Sequence, residues 1–189
     1  TFKKLRFPEK GFLNFDESIF SSDSADIVIS QHNRYSLSPP HTHGFFELIF
    51  LLSGKCKNTV DGQILIMEAG NACIIPPEIV HSIEANSDDC LLINILIRQS
   101  TFSETFMTFL GESNLLSDFF KKVLYSQTYK KYLLFRDKRK PALEQMVLYM
   151  FWEQMQSNRY CKYILNGMLQ TLFAKLLQQS EDKVEFPDS

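Results

Sequence analysis

Charge of one sign, paired cysteines and long apolar runs are all scarce in this chain, and each shortage closes off a class of function. The formal net charge is only −2 over 189 residues. Neither half carries the strongly basic balance that would neutralise a track of phosphates, so the sequence gives no electrostatic support for direct nucleic-acid binding. The one basic stretch, Lys121 to Lys140, is interleaved with Tyr, Leu and Phe and reads as a solvated loop with helix ends. The four cysteines, Cys56, Cys73, Cys90 and Cys161, form no C-x-x-C pair and have no histidine at zinc-finger spacing, so they read as small buried hydrophobes. No apolar run approaches the roughly 18 residues of a membrane span, and no basic, apolar and cleavable leader opens the chain. The expectation is a cytoplasmic protein with no membrane partner. The start at Thr1 and the polar stretch Glu181 to Ser189 suggest a piece of something longer.

What is present is apolar bulk: hydrophobic residues make up 44% of the chain and seventeen are Phe, enough for one full core with a smaller helical appendage. From Phe12 to Ile97 short apolar runs alternate with turn residues. The runs are Asp26 to Ser30, Phe45 to Leu52, Lys55 to Val60, Gln63 to Met67, Cys73 to Ile75, His81 to Ala85 and Cys90 to Ile97, and they predict strands. Ser53-Gly54 and Asp61-Gly62 supply the turns, the latter a favoured two-residue hairpin. Short antiparallel strands at this spacing imply a sandwich or barrel.

After Arg98 the period changes to that of helices, with apolar faces over Phe102 to Leu110 and Leu115 to Leu124. A brief extended segment, Tyr132 to Arg136, precedes Pro141, which suits the first turn of a helix carrying Leu143, Met146, Val147, Met150 and Phe151. Asn158 breaks that helix. A last helix from Cys161 to Gln179 presents a wide stripe that includes Ile164, Leu165, Met168, Leu169, Leu172 and Leu176. A stripe this wide exceeds what one neighbouring helix covers, so these six residues are the expected homodimer interface. The resulting division is a barrel over 1–100, a helical region over 101–180 and a polar tail over 181–189, an α+β chain.

The chemistry-bearing residues lie in HTHGFFELIFLLSG. His41, His43 and Glu47 are two and six apart, which on one strand puts them on one face, with Ile49 and Leu51 continuing it inward from a barrel mouth. His81 follows a Gly70 to Pro77 turn. Three readings of the cluster stay open: polar groups that contact a ligand without metal, a divalent metal site, or satisfied structural residues. Arg34, Tyr35 and Asn94 are further candidates for the pocket wall.

The pairing of H-x-H-x3-E-x6-G with G-x5-P-x4-H resembles the two signature motifs of cupins, in which three His and one Glu often hold a divalent metal. Two positions depart from the pattern: Glu78 stands where cupins usually place glycine, and Asn86 lies one place past the expected Asn. More narrowly, PPHTHGFFELIFLLSG and EAGNACIIPPEIVHSI resemble the N-terminal domain of AraC-type (AraC/XylS family) transcription regulators over residues 30 to 100. That resemblance implies a cupin-like β-barrel, a double-stranded β-helix, followed by an α-helical hairpin for dimerisation. It also implies a small-molecule effector in the barrel, usually no metal, no enzymatic activity, and DNA contact only through a C-terminal helix-turn-helix domain beyond this chain. The effector could be a sugar, an aromatic acid or a peptide-like signal. The alternative is a metal-dependent cupin enzyme, a dioxygenase or isomerase, holding Zn, Fe, Mn or Ni on His41, His43, Glu47 and His81.

Overall fold

The computed structural model of the protein describes residues 12–20, 26–107, 121–123, 131–136, 138–180 and 184–185. Most of the expected helix over Leu115 to Leu124, residues 124–130 and 137 of the basic stretch, and most of the polar tail lie outside the described residues.

Eleven strands are described, in two facing sheets. One contains β1 (Leu13–Phe15), β3 (Leu37–His43), β8 (His81–Glu84), β5 (Lys55–Val60) and β6 (Gln63–Glu68), in the spatial order β1-β3-β8-β5-β6. The other runs β11-β10-β7-β4-β9-β2, from β2 (Ile27–Gln31), β4 (Phe46–Ser53), β7 (Ala72–Ile75), β9 (Leu91–Ile97), β10 (Leu133–Phe135) and β11 (Val184–Glu185). The seven predicted runs reappear as β2 and β4 to β9. The Asp61-Gly62 hairpin forms as expected: both residues have positive φ, 48° and 79°, and Val60 pairs with Gln63 across the turn.

The burial pattern of each strand reports which faces are covered. In β5 and β6 the burial alternates, because one face meets the barrel interior and the other meets solvent. In β4 every residue from Phe46 to Leu52 is buried. Its outer residues Phe46, Leu48 and Phe50 join a helix-covered core, while Ile49 and Leu51 join the barrel interior.

Helices α1 (Gln99–Met107), α2 (Pro141–Gln156) and α3 (Cys161–Ser180) cover that outer face. Pro141 opens α2, as its fixed φ favours, and Ser157 closes it in the left-handed region at φ 48°. Phe102 of α1 stacks on Phe46 with ring centroids 3.5 Å apart and meets Phe173 of α3 edge-on at 5.8 Å.

Two expectations are corrected here. The helical region is not a separate block from residue 101 onward: β10 pairs antiparallel with β7, and β11, within the expected tail, pairs with β10, so later segments complete the barrel sheet. The expected dimer stripe is also largely internal. Leu165, Leu169, Leu172 and Leu176 are at most 3% exposed and pack against the barrel and α2, and Met168 is partly buried against the same core. Ile164 alone among the six is exposed, at the rim. Counting apolar residues on α3 could not reveal that a whole sheet, rather than one helix, absorbs them.

Candidate functional site

His41 and His43 sit on β3, Glu47 on β4 and His81 on β8. The expectation that the first three share one strand is wrong, because the chain turns at Gly44-Phe45 and crosses from one sheet to the other. The cluster nevertheless forms: β3 and β8 pair with His41 directly opposite His81, and Glu47 reaches them from the facing sheet. All four are buried, at 9% exposure or less.

The second motif lacks a conformational convenience that its glycine would supply. Glu78 adopts φ 63°, in the left-handed region that glycine enters freely, while its N–H donates to the carbonyl of His43 at 2.8 Å. Glu78 thus holds, at a steric cost, a backbone conformation that glycine would adopt freely.

Two histidines are held alike. In β3 the register shifts between Ser38 and His41, at Pro39-Pro40, where the ladder lacks two N–H donors. His41 Nδ1 lies 2.8 Å from the carbonyl oxygen of Pro39, and His81 Nδ1 lies 3.2 Å from that of Ile79. Each ring is thus anchored two residues back along its own chain, which leaves Nε2 for the interior. His81 Nε2 is 2.9 Å from Glu47 Oε2. His43 Nε2 is 3.3 Å from the same oxygen without the alignment of a hydrogen bond, and neither ring nitrogen of His43 has a hydrogen-bond partner. Instead His43 stacks flat on Phe45 at 4.4 Å.

Electrostatics follow from this packing. Burial, reinforced by the neighbouring His81, pushes the His41 pKa down to about 4, so His41 is a neutral ring at physiological pH. Burial alone would raise Glu47, but His43 and His81 outweigh it and hold the carboxyl well below the usual carboxylate range. The site therefore presents one carboxylate and at least one neutral imidazole. Donor atoms of His41, Glu47 and His81 all lie within 4.8 Å of one another, a spacing and donor set that suit a divalent ion. Carbonyl anchoring of Nδ1 is also how ligating histidines are usually oriented. His43, the fourth residue of the cupin set, is outside that trio.

Other sequence candidates fall elsewhere. Tyr35 is 63% exposed and hydrogen-bonds Asp88, and Arg34 is exposed with Nε on the carbonyl of Cys90; both belong to the β2–β3 turn near the C-terminal end of β8, away from His81. Neither makes a hydrogen bond to the His/Glu cluster. Asn94 does face inward, on β9 between Leu92 and Leu96, and is paired with Ile49 of β4. Sequence reasoning missed Asn58, which is fully buried between Cys56 and Val60 on the inner face of β5. The signal was available: a polar residue at the apolar phase of a period-two strand.

A profile of the AraC-like ligand binding domain matches residues 25–121. The chain belongs to this family. Among relatives, the HTH-type transcriptional activator RhaS of Yersinia pestis is 30% identical over 79 residues, covering 42% of this chain and 29% of RhaS. The chain thus spans less than a third of the length of the curated relatives it matches. Among solved structures, an apo variant of ToxT from Vibrio cholerae aligns with TM-score 0.57 at 10% identity, over 82% of this chain and 56% of ToxT. A cupin protein from Bacteroides fragilis aligns with 28% identity and TM-score 0.33 over 38% of the chain. For an AraC-like ligand binding domain, the α+β architecture of barrel and following helices is the expected one, and the ToxT likeness shows the same fold across both parts.

Proposed function

We propose that this domain senses a small-molecule effector inside the barrel and, through its helices, controls a helix-turn-helix domain in the full-length regulator. The observation that carries the reading is the buried, incompletely satisfied His/Glu cluster at the head of a largely apolar barrel in an AraC-like ligand binding domain. Buried polar groups cost free energy unless partnered, and a ligand supplies the missing partners. The relatives named HTH-type transcriptional activators support transcription control as the output, and such a protein works in the cytoplasm. Among the described residues no helix is long and apolar enough to cross a membrane.

Effector binding acts by linkage: whichever arrangement of helices the ligand prefers gains population, with a coupling of about 1 to 3 kcal/mol in typical systems. Dimerisation fits the exposed faces of α2 and α3, where Tyr149, Trp152, Met155 and Tyr163 are 49% to 73% exposed. This face replaces the buried leucine stripe as the homodimer surface.

The test is a thermal-shift screen of small carbohydrates, carboxylic acids and short peptides on the wild type and on His41→Ala combined with Glu47→Ala. A stabilising ligand whose effect disappears in the folded double variant supports the reading. A ligand effect that survives the double variant overturns it.

A second reading rests on the close donor spacing of His41, Glu47 and His81. A Zn, Fe, Mn or Ni ion held there would serve as a Lewis acid for a cupin enzyme, the three side chains holding it with Nδ1 of each histidine tied to the backbone. Metal analysis of protein purified without chelators decides it: a stoichiometric ion lost in Glu47→Gln supports this reading, and metal-free protein that binds an effector removes it.

A further inference from the structure

A molecule that reaches the His/Glu cluster has to pass a wall, because His41, His43, Glu47 and His81 are each 9% exposed or less. Most of that wall is strand ladder, closed by backbone hydrogen bonds. It changes character where β6, the edge strand of one sheet, comes up against β10 of the other. Among the described residues these two strands exchange no ladder bond, and side chains span the gap instead. The Tyr132 hydroxyl donates to Gln63 Oε1 at 2.9 Å, and Arg136 Nη1 donates to the Ile66 carbonyl at 2.9 Å.

Strand register puts the first of these bonds at the depth of the cluster. In one sheet His81 pairs with Val60, and Val60 pairs with Gln63 across the hairpin. In the facing sheet Glu47 pairs with Ile75, and Leu133 pairs with Ile74, which sets Tyr132 level with Ile75. The layer is therefore bounded by two cross-sheet contacts, His81 on Glu47 at 2.9 Å and, two strands away, Tyr132 on Gln63. Two strand spacings amount to roughly 10 Å, filled by the interior side chains Val60 and Ile75.

The gap is held less firmly than the opposite pair of sheet edges. Where β1 and β2 meet, Arg98 ion-pairs with Glu17, just past β1, at 3.2 Å and with Asp26, just before β2, at 3.5 Å, and covers the Phe20 ring. The Tyr132–Gln63 bond joins two neutral groups, and bonds between charged groups are about twice as strong. Gln63 is exposed while Tyr132 is 6% exposed, so this bond sits at the boundary between solvent and interior. The other end of β6 is tied: the chain passes from Glu68 through Gly70 into β7, with Gly70 packed against the main chain of Lys138 and Arg139. Along the seam a cleft of about 510 Å³ already opens to solvent between Ile64 and Ile66 on one side and Arg136 and Lys138 on the other.

We propose that the β6–β10 seam is a side gate into the barrel, latched by Tyr132 and Gln63, through which small molecules reach the His/Glu layer. Opening breaks the latch and leaves the β5–β6 and β7–β10 ladders intact. As the entry route of an effector the gate rests on the reading above; as an opening of the barrel it is measured without any effector.

Cys73 reports the gate from within. It is fully buried on β7, directly beside Leu134 of β10, and burial pushes its thiol well above the ordinary range, so it reacts only when the gap opens. Cys90, 1% exposed in the same interior, lies just before β9, two strands beyond β7, and is the control. Alkylation by iodoacetamide, a small neutral probe, is followed at each cysteine by mass spectrometry under native conditions, in the wild type, Tyr132→Phe, Gln63→Ala and the double variant. Loss of one hydrogen bond predicts a rate about three- to tenfold higher at Cys73 in each single variant, no further rise in the double variant, and an unchanged rate at Cys90. An unchanged rate at Cys73 overturns the proposal. So does a parallel rise at Cys73 and Cys90, which signals global unfolding, and so does a multiplied rise in the double variant, which shows that the two side chains are not one latch. None of these outcomes depends on whether an effector is found, so the gate can fail while the effector reading stands, and the reverse.

Discussion

The side-chain amide of Gln154 pairs with both backbone groups of Ile29: Oε1 accepts from the Ile29 N–H at 2.6 Å, and Nε2 donates to the Ile29 carbonyl at 2.7 Å. Strand β2 is the edge of its sheet, so its outward N–H and C=O have no ladder partner. Gln154, near the end of α2, substitutes for the missing strand and clasps the helices to the barrel. The next strand inward is β9, where Asn94 pairs with Ser30 of β2. A shift at the inner wall therefore reaches the helix pair through one strand neighbour and one side chain.

Gln154→Leu keeps the volume but orphans both Ile29 groups, and should cost about 1 to 3 kcal/mol. Gln154→Glu, which cannot donate to the Ile29 carbonyl, should cost as much at neutral pH. Urea denaturation checks both; equal stability in all three proteins would show that the clasp contributes nothing.

The exposed face of α2 and α3 and the buried stripe of α3 make opposite predictions. Trp152→Glu with Tyr163→Glu should leave the thermal stability of the protomer unchanged while halving the mass measured by light scattering. Leu169→Glu places a charge in the core between helices and sheet and should destabilise by about 4 kcal/mol or more. A dimer of undiminished mass in the first variant would remove that face as the interface.

Gly70 is required by close approach as well as by backbone conformation. At φ 94° an added Cβ would lie 2.5 Å from the backbone nitrogen of Arg139 and 2.6 Å from the carbonyl carbon of Lys138, both rigid main chain. Gly70→Ala should cost at least about 2 kcal/mol. Glu78→Gly should do the reverse, relieving a left-handed backbone without loss of stability. Parallel thermal melts of the two variants measure both effects.

Acid should weaken the fold in two stages. His41 is depressed to about 4 from an ordinary 6.5, so its contribution is complete above pH 6.5 and is lost as pH falls from there toward 4. Glu47 is also depressed, so its contribution is present above pH 4.5 and fades below that value. Chemical denaturation between pH 7 and pH 3 checks the shape. In a folded His41→Phe variant the upper stage should vanish and the lower one remain.

Much of the barrel was legible in the sequence because its signals are local: period-two burial in β5 and β6, Asp61-Gly62 between them, and the continuous apolar run of β4. Strand β3 escaped because Pro39 and Pro40 argue against a strand, and the bulge they cause is what positions His41. His41, His43, Glu47 and His81 do come together, but across two sheets rather than along the one strand that their spacing suggested. The return of β10 and β11 to the sheet and the burial of Leu169 and Leu172 depend on pairing between distant segments, which no local period encodes. Asn58 was readable but overlooked, since one polar residue in an apolar phase looks ordinary until its unpartnered oxygen is seen.

The central claim is that the barrel cluster holds an effector, and native mass spectrometry tests it most directly. The wild-type protein and Glu47→Leu would each be equilibrated with a small-molecule extract of bacterial cells and transferred to the gas phase intact. The account predicts one organic molecule retained per protomer by the wild type and lost from the variant; equal retention by both proteins would contradict it.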